Sequence, residues 1–132
     1  MATIYLKYDG ALQCSTDDKS WEKMTEGTII GCNSNELISW QISDQDDQMQ
    51  ELQSIVPIEG KSSVRLPSGG HWEDEWEVIP KVVSEKEIQG CPMPKDATKE
   101  KPAVYAYNIS FVLKSNPQKV ITIDPGTQVP GQ

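Results

Sequence analysis

The stretch that decides the fold is Val104-Tyr105-Ala106-Tyr107-Asn108-Ile109-Ser110-Phe111-Val112-Leu113. Its aromatic and β-branched side chains alternate with smaller or polar ones, so every second residue from Tyr105 to Phe111 falls on one face of a strand. Ser115-Asn116-Pro117-Gln118 then turns the chain, and a second apolar run follows at residues 120–124. Two such runs separated by turn residues predict a β-hairpin at the C-terminal end.

A second alternating segment lies earlier in the chain, at residues 36–43. Ile38, Trp40 and Ile42 alternate with polar residues, which is the pattern of a half-buried strand. Residues 28–32 form another short apolar run just before it, and the turn between the two is brief. We therefore expect these two runs to form a hairpin.

Further short runs separated by turn residues extend this pattern along the chain. Strands are expected at residues 4–8, 52–58, 62–66 and 127–129, with a weaker one around Val82 and Val83, whereas the prolines of 90–102 predict a surface loop. Seven or eight short strands in a chain of 132 residues predict one all-β domain over 1–132, a Greek-key β-sandwich. The predicted core is Ile38, Trp40, Ile42, Tyr107, Ile109, Phe111, Ile121 and Ile123.

The order of these segments resembles the cupredoxin-type sandwich from about Thr28 to Val129. A glycine-led strand runs into a tryptophan strand between Gly27 and Trp40, a Gly-Gly-His-Trp region follows, and a Tyr-x-Tyr strand precedes a last strand ending Ile-Asp-Pro-Gly. This resemblance implies a Greek-key scaffold. An immunoglobulin-like sandwich of different topology fits nearly as well.

The copper chemistry of the cupredoxin family is not implied here. Copper sites of that kind need imidazole and thiolate ligands close together. His71 is the only histidine of the chain, and residues 107–111, where a Cys and a His would be expected, contain neither. We therefore predict a copper-free, cupredoxin-like or immunoglobulin-like scaffold without a cofactor or a bound metal.

The net charge of −8 narrows the range of partners. An acidic surface repels phosphate backbones and anionic lipid, so neither nucleic acid nor a membrane surface is an expected partner. Asp44, Asp46 and Asp47 resemble part of a calcium loop, but the glycine and the terminal Glu of an EF-hand are not in place. We interpret them as a solvated acidic loop.

Cys14, Cys32 and Cys91 form an odd set without a CxxC spacing. Small secreted domains usually pair their cysteines in even numbers, so reduced structural thiols are favoured, although one pair with a free thiol stays open. The first residues have neither a basic nor an apolar signal region. A cytoplasmic protein is the expectation.

The most unusual stretch is Gly69-Gly70-His71-Trp72-Glu73-Asp74-Glu75-Trp76. As a candidate ligand or partner contact it offers His71, Trp72, Glu73, Glu75 and Trp76: the indoles could stack on a sugar while the carboxylates bond to it. In the favoured alternative, the indoles cover one end of the sandwich and the acids face water. Glycosidase carboxylates lie about 5–10 Å apart around a cleft, which neighbours on one loop rarely provide.

The chain contains no recognisable catalytic set. A single histidine makes a poor metal site, and no Gly-x-Ser-x-Gly elbow or phosphate-binding glycine loop is present. We predict no catalytic residue and no enzyme.

A non-enzymatic interaction or structural module is therefore expected, binding a protein partner or itself through surface contacts. The alternatives are a carbohydrate-type ligand domain that uses the Trp72 and Trp76 loop, and an enzyme of unrecognised chemistry. The lysine-bearing segment 81–101 is interpreted as a solvated loop, with docking on an acidic patch of another copy as the alternative.

Overall fold

Extended backbone forms all the regular structure of the computed structural model, which describes residues 2–25, 29–31, 36–57, 76–92, 103–123 and 126–129. The strands are β1 Ala2–Tyr8, β2 Leu12–Ser15, β3 Glu22–Lys23, β4 Ile29–Gly31, β5 Ile38–Ile42, β6 Met49–Pro57, β7 Trp76–Ser84, β8 Glu87–Pro92, β9 Ala103–Leu113, β10 Asn116–Ile123 and β11 Gly126–Val129. The predicted all-β sandwich class is confirmed, since these strands form two sheets.

The first sheet has six strands in the order β3-β2-β1-β5-β8-β7. β1 pairs antiparallel with β2 and parallel with β5, so Ile4 lies beside Trp40. β8 then pairs antiparallel with both β5 and β7. β7 is the edge of this sheet within the described part of the chain.

The second sheet is built around β9. The predicted C-terminal hairpin is confirmed, because β9 and β10 pair antiparallel with Phe111 opposite Ile121. β11 continues along the same side of β9 in the same register, and β4 pairs parallel with β11. β6 pairs with the other side of β9 and forms the opposite edge of this sheet.

The core lies between the sheets, where the two strongest sequence patterns meet. Trp40 of β5 and Tyr107 of β9 are both fully buried. Their rings contact edge to face, with centroids 5.6 Å apart, and Trp40 Nε1 donates to the Tyr107 hydroxyl at 3.2 Å. The eight predicted core residues all belong to this cluster, Ile121 and Ile123 as partly buried members at its margin.

The expected hairpin between residues 28–32 and 36–43 is wrong. β4 pairs with β11 in the second sheet, whereas β5 pairs with β1 and β8 in the first. The alternation in each run identifies a strand and its buried face, but it does not identify the neighbouring strand.

The described residues contain more strands than the seven or eight expected. β2 and β3 have four and two residues, so their sequences are too short to show a repeating pattern. Residues 90–92, expected in a loop, continue β8. The interpretation of 81–101 as a solvated loop is also wrong for its first part, since 81–84 belong to β7 and 87–92 form β8. The expected strand at 62–66 lies outside the described residues.

Candidate functional site

The residues singled out from the sequence fall largely beyond the described part of the chain. His71, Trp72, Glu73 and Glu75 lie outside it. Trp76 is the first residue of β7, and its backbone pairs with that of Pro92. Whether these residues contact a ligand or a partner therefore stays a prediction.

A different surface stands out among the described residues. Five large apolar side chains are strongly exposed: Val56 (53%), Ile79 (43%), Val82 (51%), Val83 (51%) and Val120 (50%). The first four belong to β6 and β7, two strands that lie beside each other where the edges of the two sheets meet. We call Val56, Ile79, Val82 and Val83 the apolar corner.

Two backbone hydrogen bonds hold the β7–β8 turn against neighbouring strands. The N–H of Leu52 in β6 donates to the Glu85 carbonyl at 2.8 Å, and the N–H of Ile42 in β5 donates to the Lys86 carbonyl at 2.9 Å. The turn is thus anchored to both sheets. The apolar side chains of β7 are presented by a supported strand.

The exposed valines of β7 lie at an irregular point of the strand. The β7–β8 ladder shifts register between Val82 and Ser84, so the usual alternation of side chains between the two faces is interrupted at Val83. Both Val82 and Val83 are about half exposed. In the described part of the chain, β7 is also the last strand of its sheet.

Pro80 fixes the middle of β7 against β8. A Cβ on Gly90 would lie 3.1 Å from the Cα of Pro80, so only glycine fits this close approach without a shift. Pro80 also lacks an N–H, which makes this point of the strand unable to donate to an added strand.

Charged side chains border the apolar corner on β7 and its turn. Lys81, Glu85 and Lys86 are exposed. None of the three forms an ion pair with a described residue. Cations and an anion are therefore available next to exposed valines.

The acidic loop after β5 is held by hydrogen bonds to backbone groups. Asp46 accepts from the N–H groups of Tyr8 (2.9 Å), Met49 (2.9 Å) and Gln48 (3.2 Å). A carboxylate that is already satisfied by three backbone donors acts as a loop anchor. This role explains how Asp46 holds the loop after β5 in place.

Asp17 plays a similar part in the loop between β2 and β3. Its Oδ1 accepts from the N–H groups of Ser20 (2.8 Å) and Lys19 (2.9 Å) and from the Ser15 hydroxyl (2.8 Å). These three donors, the Ser20 and Lys19 amides first, lower the pKa of Asp17 to about 2. The carboxylate is thus ionised at any physiological pH.

The outward face of the first sheet carries a polar network around Glu87. Its Oε2 accepts from the Ser39 hydroxyl at 2.5 Å, from Gln89 Nε2 at 2.8 Å and from Gln41 Nε2 at 3.5 Å. These bonds, with that from Ser39 the largest, lower the pKa of Glu87. A carboxylate whose ionised form is stabilised by three hydrogen bonds is a poor general acid.

An open cleft of about 390 Å³ lies between the sheets on the side away from β7. The described residues that line it are Tyr8, Ala11, Leu12, Lys23, Met24, Thr25, Ile121, Thr122 and Ile123. Its volume falls within the range of roughly 300–1,000 Å³ found for ligand pockets. However, the Thr122 hydroxyl bonds Ser110 at 3.0 Å, and no cluster of polar side chains marks a preferred ligand.

Cys14 and Cys91 are both buried free thiols. Burial, then the charge of Glu22 and a hydrogen bond to it, raise the pKa of Cys14 to about 12. Burial, then the charge of Glu77 and a hydrogen bond to it, also raise the pKa of Cys91. Neither is an activated nucleophile, because the thiolate is the reactive form. Cys32 lies outside the described residues.

The described residues provide neither a metal-binding cluster nor a helix that could cross a membrane. No group of three or more His, Cys, Asp or Glu side chains among them could hold a metal ion. The described segments also include no helix long and apolar enough to cross a membrane.

Comparisons with known proteins supply no family for this chain. No protein-family model matches it, and a search of the curated proteins gives no significant match. The two-sheet arrangement does not specify a cupredoxin-type fold, so that resemblance stays a prediction.

The apolar corner was not among the sites expected from the sequence. Val82 and Val83 were noted only as a weak strand. The signal that would have found them is the pair of adjacent apolar dipeptides, Val78-Ile79 and Val82-Val83, in one nine-residue strand. Such pairs put apolar side chains on both faces, so a strand at the edge of a sheet leaves some of them exposed.

Proposed function

We propose that this protein is a non-enzymatic interaction module that binds a protein partner through the apolar corner. The observation that carries the proposal is that Val56, Ile79, Val82 and Val83, each at least 43% exposed, belong to β6 and β7, two neighbouring strands at the edges of their sheets in the described part of the chain. Single exposed apolar residues are ordinary on protein surfaces, whereas a group of them is typical of an interaction site.

The surroundings of the corner support binding to protein. An apolar centre bordered by charged side chains such as Lys81, Glu85 and Lys86 is the arrangement of protein interfaces. The turn bonds to Leu52 and Ile42 also mean that little backbone ordering would be needed on binding.

The proposal is tested by comparing three versions of the chain as immobilised baits. Wild type, the Val82→Lys/Val83→Lys double variant and the control Val120→Lys are exposed to a lysate of the source organism and to the purified chain itself. Val120 is a fair control because it is equally exposed, at 50%, on β10. We expect wild type and Val120→Lys to retain the same protein, and the double variant to lose it.

Two binding results would contradict the proposal. If all three baits retain the same proteins, or none retains any, the apolar corner is not a contact surface and the proposal fails. Circular dichroism of each bait verifies that the variants are folded.

The carbohydrate alternative remains a separate proposal, because the Trp72 and Trp76 side chains on which it depends are not among those described. No contact of the described residues favours it. Titration of the chain with a glycan panel, followed by tryptophan fluorescence, tests it without reference to the apolar corner.

A further inference from the structure

We infer that the partner at the apolar corner is a second copy of this chain, with the two β7 strands packed antiparallel about a two-fold axis next to Val83. This inference rests on the proposed function and names the partner. It comes from the order of apolar and charged residues at the end of β7.

Residues 81–85 read Lys-Val-Val-Ser-Glu, and all five are exposed. When two copies run antiparallel with Val83 facing Val83, Lys81 of each copy lies across from Glu85 of the other. A two-fold axis repeats every contact, so one self-complementary segment supplies two Lys–Glu pairs around an apolar centre. The segment is therefore complementary to itself in both charge and apolar character.

Local charge is compatible with a contact between two copies at this segment. The whole chain carries −8, which opposes association of two copies through most of their surfaces. The exposed run 81–86 instead contains Lys81, Lys86 and Glu85, two positive charges and one negative. Two copies that meet here bring Lys81 of each copy towards Glu85 of the other.

The contact is one of side chains, without a continuous backbone ladder. The Glu85 carbonyl already accepts from Leu52, and Pro80 has no N–H to donate. The β7–β8 ladder also shifts register between Val82 and Ser84, and such a bulge disfavours a long added strand. A short contact of this kind gives a weak, reversible dimer.

Charge reversal tests the pairing directly in the purified, full chain. Sedimentation velocity is measured over a concentration series up to about 1 mM for wild type, Lys81→Glu, Glu85→Lys and the double variant Lys81→Glu/Glu85→Lys. Each single change places like charges opposite each other twice per dimer, so we expect the dissociation constant to rise roughly tenfold.

The double variant restores opposite charges across the axis and keeps the net charge of wild type. We expect its dissociation constant to return to within about threefold of the wild-type value, while Val83→Lys abolishes the dimer. Added salt screens both the Lys–Glu pairs and the general repulsion between two chains of charge −8, so it should change the dissociation constants of wild type and the double variant by the same factor.

Two results overturn the inference. One is a wild-type chain that stays monomeric throughout the series, and the other is a double variant that dimerises as weakly as the single ones. If wild type is monomeric but the bait experiment still shows loss of a captured protein in the Val82→Lys/Val83→Lys variant, the inference fails and the proposed function stands. If the baits also show no difference, both fail.

Discussion

Strands β9 and β7 are both rich in apolar residues, yet they occupy opposite environments. Tyr107, Ile109 and Phe111 of β9 are fully buried between the sheets, whereas Val82 and Val83 of β7 are half exposed. β9 has neighbours on both sides, whereas among the described strands β7 has β8 as its one ladder partner. Apolar side chains in the middle of a sheet stabilise the fold, while those on its edge are left for another surface.

The largest loss of stability is expected for a change at Phe111 of β9. Phe111→Ala removes a fully buried ring that also packs against Tyr8, with centroids 5.9 Å apart. We expect a loss of about 3–5 kcal/mol in the free energy of unfolding. Urea denaturation measures it, with Val83→Ala as the matched control at a loss below about 0.5 kcal/mol. Equal losses in the two variants would abolish the distinction between the strands.

The next effect concerns the hydrogen bond that joins the two sheets. Tyr107→Phe keeps the ring but leaves the buried Trp40 Nε1 without the acceptor that it has at 3.2 Å. An unsatisfied buried donor costs about 1–3 kcal/mol, and we expect that loss in urea denaturation. Tyr8→Phe, on a partly exposed ring, serves as the control. No difference between the two variants would show that this bond contributes nothing.

A smaller effect depends on pH and on Cys14. Its pKa is raised to about 12 in the folded chain, chiefly by burial, whereas a free thiol ionises near pH 8.5. A raised folded pKa gives stability that is complete below about pH 8.5 and is lost as the pH rises towards the folded value.

Wild type should therefore lose about 1 kcal/mol more than Cys14→Ala between about pH 7.5 and pH 9.5. Urea titrations of both proteins at the two pH values measure the difference. Subtracting the variant removes the contributions of Cys91 and of the lysines and tyrosines, which both proteins share. Parallel losses would mean that Cys14 ionises as freely in the folded chain as in the unfolded one.

The smallest effect on stability is expected on β7. Val83→Lys adds a charge to a side chain that is already 51% exposed, so the free energy of unfolding should change by less than about 0.5 kcal/mol. The same change should remove association. A loss of several kcal/mol in urea denaturation would mean that Val83 belongs to the core and not to a contact surface.

The sequence predicts the centre of this fold far better than its edges. Trp40 and Tyr107 lie in long alternating runs, and a run with one buried face has a single favourable orientation. The partners of β4 were missed, because pairing depends on residues far along the chain. β2 and β3 were missed because Leu12–Ser15 and Glu22–Lys23 are too short to show a repeating pattern.

The candidate site illustrates the same limit. Trp72 and Glu73 are predicted as contact residues because tryptophans and acids are conspicuous in a sequence. Val82 and Val83 look like core residues until the sheet order places their strand at an edge. Whether a side chain is exposed depends on which strands pack around it. One sequence does not reveal which strand lies at the edge of a sheet.

The most direct test of the central claim is amide hydrogen exchange of the wild-type chain at low and high protein concentration. Peptides that cover 81–85 should exchange more slowly at high concentration, because the packed side chains of two copies shield the outward-facing N–H groups of this exposed segment from water. Peptides that cover Tyr107 to Phe111 should exchange equally at both, since they are buried in the monomer. Exchange at 81–85 that does not change with concentration would contradict the assignment of β7 as a contact between copies.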